Sequence, residues 1–199
     1  MSEPPAVTSI VDRLARLAAT TQAVVLVGGW GIAEAIALPM VPDILLNLLA
    51  LAAPRQAGRL FAAAIAGAVA GSAILAGLTI VDPDGARSLV LAVPGVDQAM
   101  LEAARRALAG GDPLRFAGFG PGTPLKVYTL AWALAGGSPW LLVPGVFINR
   151  ITRMGPGVLI AALIGALAPA FVRRRERVVL AGYVAFWVAT YVIYFISLA

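Results

Sequence analysis

Long apolar runs dominate the pattern along the chain, and proline and glycine interrupt them more often than charge does. Residues 23–38 form a first run, with Glu34 near its end, and residues 57–80 form another. The latter is 24 residues long, about 36 Å as a helix, which is enough to span a bilayer with some tilt. Its Ala63, Gly67 and Gly71 recur every four residues, a small-residue face on which a second helix can approach closely. Near the end, 155–171 and 178–199 are two more apolar segments on either side of "RRRER", 173–177.

Two segments alternate instead with helical period. From Val7 onward, Ile10, Val11, Leu14, Leu17 and Ala18 share a face, against Asp12, Arg13 and Arg16. In the polar stretch 81–113, Met100, Leu101, Ala104 and Leu108 lie opposite Asp97, Glu102, Arg105 and Arg106, and Gly110, Gly111 and Pro113 end the pattern. Both predict amphipathic helices lying in the membrane interface. Residues 1–22 lack the basic start and apolar core of a signal peptide, so they are expected to remain as an interfacial segment.

The stretch "LPMVPDILLNLLALAAP", 38–54, breaks this grammar. Pro39 and Pro42 precede Asp43 and a short apolar helix, and Pro54 closes it. Residues 119–139, "FGPGTPLKVYTLAWALAGGSP", repeat the device: Pro121 and Pro124 precede Lys126 and a second short helix. At a shift of 83, Asp43 meets Lys126, and "ALA" at 50–52 meets "ALA" at 133–135. Proline costs about 3 kcal/mol inside a helix. In hydrocarbon the backbone groups it frees have no water, so broken helices persist only against protein or a wet cavity. The two copies predict re-entrant hairpins that enter the membrane, turn at depth and leave on the same side, as in inverted-repeat transporters. A plain proline kink in a spanning helix is the simpler reading, but the eleven residues between Pro42 and Pro54 are too few to span.

Composition narrows the chemistry. The chain is 60% apolar and 13% charged, far from the roughly 25% charged of a soluble domain. It has no cysteine and no histidine. Disulfides, thiolate nucleophiles, imidazole bases and zinc sites built on His or Cys are excluded. The net charge of +5 rests on arginine, with Lys126 the single lysine. Clustered in a hydrophobic protein, these arginines point to an anionic membrane face and not to nucleic acid. Four arginines within 173–177 mark a cytoplasmic loop, which leaves the C-terminus outside. The aromatic residues Tyr183, Trp187, Tyr191 and Tyr194 read as interfacial anchors of the last helix.

The expected architecture is an all-α integral membrane protein with two re-entrant helical hairpins as a pseudo-inverted repeat, spanning helices and interfacial amphipathic helices. After the interfacial segment 1–22, one membrane domain fills 23–199. Its first repeat covers about 23–80, an extramembrane loop 81–113, the second repeat about 114–172, and the last helix 178–198.

Glu34, Asp43, Lys126, Arg150 and Arg153 all sit inside or beside apolar sequence. An ionised side chain at mid-bilayer costs about 2.5–3.5 kcal/mol on insertion scales, so five of them call for a shared purpose. Arginine's planar fork suits phosphate bidentately, and Arg150 and Arg153 lie three apart on one helical face. Lys126 supplies a third positive charge. Glu34 and Asp43 can take up protons when the arginines bind phosphate, or pair with the arginines when the site is empty.

The run "EAIALPMVPDILLNLLAL" resembles the acid-proline-proline-acid signature of the DedA family, also called the VTT or SNARE-associated Golgi family. "PGTPLKVYTLAWALAGGSPWLLVPGVFINRITR" resembles the second half of its smaller YqaA-like branch, and together the resemblance covers about residues 28–165. Three departures stand out: Asp43 replaces the more usual glutamate, Asn149 replaces a glycine, and a tyrosine expected at Thr79 is missing. The resemblance implies lipid translocation in a bacterial inner membrane, by a flippase or scramblase that moves polyprenyl phosphate or another phospholipid past two facing hairpins. Movement would be coupled to protons through Glu34 and Asp43, with no cofactor, no metal and no enzymatic step. Three alternatives are an ion or small-molecule exchanger, a lipid-phosphate hydrolase and a membrane scaffold. The hydrolase lacks a serine with a base beside it, since Ser72 and Ser138 stand alone in the sequence.

Overall fold

A computed structural model describes residues 9–117 and 122–196, and among them every regular element is helical. Pro121, expected as a hairpin break, lies outside the described residues, as do residues 1–8 of the N-terminal segment.

Helix α1 (Ile10–Ala18) starts at Ser9, whose hydroxyl accepts from Asp12 N–H at 3.1 Å. Its apolar face turns toward protein as well: Val11 packs with Leu51 and Val172, and Leu14 and Leu17 pack against the core. Helix α2 (Thr21–Ile36) follows Thr20, and the irregular stretch 37–42 holds Pro39 and Pro42. Helix α3 (Asp43–Ala52) has ten residues, about 15 Å, and cannot cross a bilayer. A 3-10 turn (Pro54–Gln56) leads into α4 (Ala57–Val81).

Helices α2 and α4 run side by side in the same direction. Arg59 donates to the carbonyls of Ala18 (2.8 Å) and Thr20 (3.3 Å) at one end. Further along, Gly67 meets the backbone of Gly28, and Gly71 that of Ile32. A Cβ at Gly67 would overlap the Gly28 carbonyl, which is why the small-residue face is needed. Since α2 ends beside Gly71 and α4 begins at Ala57, α3 must return the chain to the end at which α2 began.

The polar stretch holds two helices, α5 (Pro83–Leu91) and α6 (Gln98–Leu108). Sequence periodicity marked only the second. Asp82 and Asp97 cap them, accepting from Gly85 N–H and Met100 N–H at 2.9 and 2.7 Å. The apolar stripe of α6 is covered by protein: Leu101, Ala104 and Leu108 join Ala86 and Val90 of α5 in one core with Tyr128 and Trp132. A 3-10 turn (Pro113–Ala117) places the Phe116 ring edge-on to Trp132 at 5.6 Å.

Helix α7 (Leu125–Leu134) again has ten residues and follows Pro124. Helix α8 (Pro139–Leu167) runs 29 residues without a break, with Pro144 and Pro156 inside it, and so extends well upstream of the apolar segment 155–171. A short α9 (Pro169–Arg174) and a turn at Arg175 precede α10 (Glu176–Ile196). Moving α3 and α4 by 83 positions superimposes their starts on those of α7 and α8 to within one residue. The packing is reciprocal as well: α3 lies against α8 and α7 against α4. Ser72 and Thr129 join the second pair by a 3.2 Å hydroxyl–hydroxyl bond.

Three helices, α4 with its preceding turn, α8 and α10, are long and apolar enough to cross a membrane. With mean hydropathy of +0.90 and only helices among its described residues, the chain has a composition and helix lengths compatible with a membrane protein.

Candidate functional site

The two proline breaks meet. A cavity of about 350 Å³ is lined by Glu34, Asp43, Lys126, Arg150 and Arg153, together with Pro39 and Pro124. Four helices deliver the charges: Glu34 from the last turn of α2, Asp43 from the first residue of α3, Lys126 from the start of α7, and both arginines from the middle of α8.

Glu34 is the hub. Its carboxylate is buried at 3% exposure between two cations. Arg150 donates to Oε2, and Lys126 Nζ lies 3.7 Å from Oε1. Lys126 also donates to the Leu38 carbonyl at 3.2 Å, beyond the end of α2. A cation beside the C-terminal end of α2 is also favoured by the helix dipole. Lys126 and Arg150 are 1% and 4% exposed, so both depend on Glu34 for compensation. The Nε of Arg150 has no hydrogen-bond partner among the described residues.

The remaining two charges differ. Asp43 is half-buried and forms no ion pair among the described residues. Arg153 is exposed and donates to the Thr123 carbonyl. The sequence placed Glu34 and Asp43 in one role; the structure gives Glu34 two fixed counter-ions and leaves Asp43 open to the cavity. Three cations against two carboxylates leave one net positive charge on the wall. Helices α3 and α7 add to it. Neither has a side-chain N-cap, and their first residues line the cavity, so both helix N-termini face it.

Other side chains stitch the first break. Trp30 Nε1 donates to the Met40 carbonyl at 2.9 Å, and Val41 N–H donates to the Tyr191 hydroxyl at 3.0 Å. At the second, Asn149, fully buried beside Arg150, donates to the Phe116 carbonyl at 2.7 Å and pins the 3-10 turn to α8.

The cavity also has an aromatic wall that sequence reasoning assigned elsewhere. Trp187, Thr190, Tyr191 and Tyr194 of α10 line it. The signal was present, because 183, 187, 191 and 194 fall on one face of a helix. Among the described residues no group of carboxylates is arranged to hold a metal ion.

No family model, curated protein or solved structure matches this chain.

Proposed function

We propose that the protein translocates a phosphate-bearing membrane lipid between leaflets, polyprenyl phosphate being the best-fitting class, and that its headgroup enters this cavity. The observation that carries the reading is the lining itself: one net positive charge, an arginine without a carboxylate partner among the described residues, and two uncapped helix N-termini around about 350 Å³. Such a wall suits a phosphate and is large enough for a headgroup alone. Asp43, open to the same space, is the proton carrier, while Glu34 holds Arg150 and Lys126 in place. The resemblance of residues 28–165 to the DedA family points the same way.

In this reading α2 with α3 form a re-entrant hairpin, and α7 belongs to its counterpart in an inverted repeat. The Arg59 bonds to Ala18 and Thr20, and the reciprocal packing of α3 on α8 and α7 on α4, support it. Arg13, Arg16, Arg55, Arg59 and Arg173–Arg177 gather at the end where α1, the 3-10 turn and α9 meet, and that end is assigned to the cytoplasm of a bacterial inner membrane. Cysteines placed just before Pro39 and just after Pro54 test the geometry. The first should lie at depth and resist aqueous maleimide, and the second should label from the cytoplasmic side only. Labelling of the two from opposite sides would remove the hairpin.

The function is tested by leaflet exchange of a fluorescent polyprenyl phosphate in proteoliposomes, beside a lipid with a neutral headgroup. Faster exchange of the phosphate lipid is expected. Asp43→Asn should insert and fold as wild type does, since no ion pair is lost, yet lose exchange and its dependence on pH. Wild-type exchange in that variant would remove Asp43 from the mechanism. Movement of a soluble anion without lipid exchange would favour the exchanger.

A further inference from the structure

A cavity sized for a headgroup raises the question of where a lipid tail goes. Three sides of the site are formed by α2, α3, α7, α8 and, through Val93 and Pro94, the α5–α6 connection, all packed against the core. The fourth is α10 alone. It lines the cavity with Trp187, Thr190, Tyr191 and Tyr194, yet none of its residues is buried. Beyond its first residue, only Val179, Leu180, Tyr183, Trp187, Tyr191 and Tyr194 are even half-covered, a single stripe along one side.

Hydrogen bonds from tyrosine tips hold that stripe. The Tyr183 hydroxyl reaches the carbonyls of Asp43 (3.3 Å) and Ile44 (2.7 Å), at the start of α3. Tyr191 accepts from Val41 N–H at 3.0 Å, inside the first proline break. Tyr194 donates to the Gly95 carbonyl at 3.1 Å, between α5 and α6. All four partners are backbone groups near the site, and none belongs to a residue of the apolar core. At the other end both α9 and the start of α10 are tied to α1: Arg173 of α9 pairs with Asp12 at 3.5 Å, and Val11 N–H donates to Glu176, the first residue of α10, at 3.4 Å. Between the Arg173 tie and the tyrosines lies the Arg175 turn, where helix α9 stops and α10 begins, and Glu176 holds α10 just past that turn.

We propose that α10 is a lateral gate, latched over the cavity by the hydroxyls of Tyr183, Tyr191 and Tyr194 and hinged at Arg175. Opening separates α10 from α3 and the α5–α6 connection, so that a lipid tail stays in hydrocarbon while its headgroup sits in the cavity. It also frees Val41 N–H toward the incoming headgroup. Hydroxyl-to-backbone bonds suit a latch, because they are directional and re-form without repacking a core. The inference takes its purpose from the lipid reading, but the latch and the hinge stand on contacts of their own.

Two measurements test it, and the absence of native cysteine keeps both clean. In the first, Val41→Cys with Tyr191→Cys is bridged by a reducible bis-methanethiosulfonate, since a tyrosine tip reaching main chain leaves the two Cα atoms too far apart for a direct disulfide. Bridging should stop exchange of the fluorescent polyprenyl phosphate, and reductant should restore it. The pair Asp12→Cys with Arg173→Cys, bridged on the fixed side of the hinge, should exchange as before. Exchange that survives the Val41–Tyr191 bridge would overturn the gate.

The second measurement needs no transport. Spin labels at Met40→Cys and Val188→Cys should report two distances that differ by more than ~5 Å, half a helix diameter. Replacing all three tyrosines by phenylalanine should enlarge the longer population by about tenfold or more, as three neutral hydrogen bonds are removed. One distance, unchanged in the phenylalanine variant, would overturn the gate whatever the protein carries. Two distances without lipid exchange in wild type would uphold the gate and refute the lipid reading.

Discussion

Glu34→Ala is expected to cost about 3–5 kcal/mol of stability, the usual penalty for removing one partner of a buried ion pair. The size follows from what the substitution leaves behind. Arg150 and Lys126 stay buried with no carboxylate between them, and Lys126 keeps only the Leu38 carbonyl. Against a total stability of about 5–15 kcal/mol, that loss is close to disabling. The check is thermal unfolding of the purified protein in detergent, followed by tryptophan fluorescence. The double variant Glu34→Ala with Arg150→Met should recover much of the loss, because a neutral side chain then fills the arginine's place. Equal stability of Glu34→Ala and wild type would mean that these cations are compensated by something other than Glu34, and would reopen Glu34 as a proton carrier.

The contrast between Glu34 and Asp43 marks where sequence stops speaking. Both are carboxylates at the edges of apolar runs, nine positions apart, and nothing in their neighbours distinguishes them. The distinction arises from Arg150 and Lys126, more than ninety positions away in the chain, which reach Glu34 only because α7 and α8 pack across α2 and α4. The breaks themselves were legible, because proline removes a donor at a known place: α3 and α7 begin next to Pro42 and Pro124. The stripes of α1 and α6 were legible too, but periodicity states only that a face is apolar. Whether lipid or protein covers it is decided elsewhere, and here α6 meets Phe116, Tyr128 and Trp132. Helix α5 escaped notice because its nine residues are short and mixed, and a Pro-Asp-Gly start reads as a turn until Asp82 caps it. Pro144 and Pro156 show that not every proline marks a break. Proline predicts a freed carbonyl, but within α8 these interruptions are absorbed and the helix continues.

Arg153→Lys is expected to slow exchange of the phosphate lipid by roughly 10–100-fold, from the loss of a charge-assisted hydrogen bond worth about 1.5–3 kcal/mol. The choice of Arg153 over Arg150 comes from their partners. Arg150 is buried and answers Glu34, which is what a structural arginine does. Arg153 stands one helical turn further along α8, exposed, bonded to a carbonyl and to no carboxylate among the described residues. Its remaining donors are those best placed to take a phosphate from the cavity rim. Lysine keeps the charge and loses the planar fork, so the fold should be untouched while bidentate recognition fails. Arg150→Lys, by contrast, should lower both exchange and thermal stability, since the Glu34 pair is loosened in the same step. Exchange of a neutral-headgroup lipid should change little in Arg153→Lys. Wild-type rates for the phosphate lipid in that variant would show that Arg153 supplies charge alone, and equal losses for both lipids would show that it supports the passage itself and does not recognise phosphate.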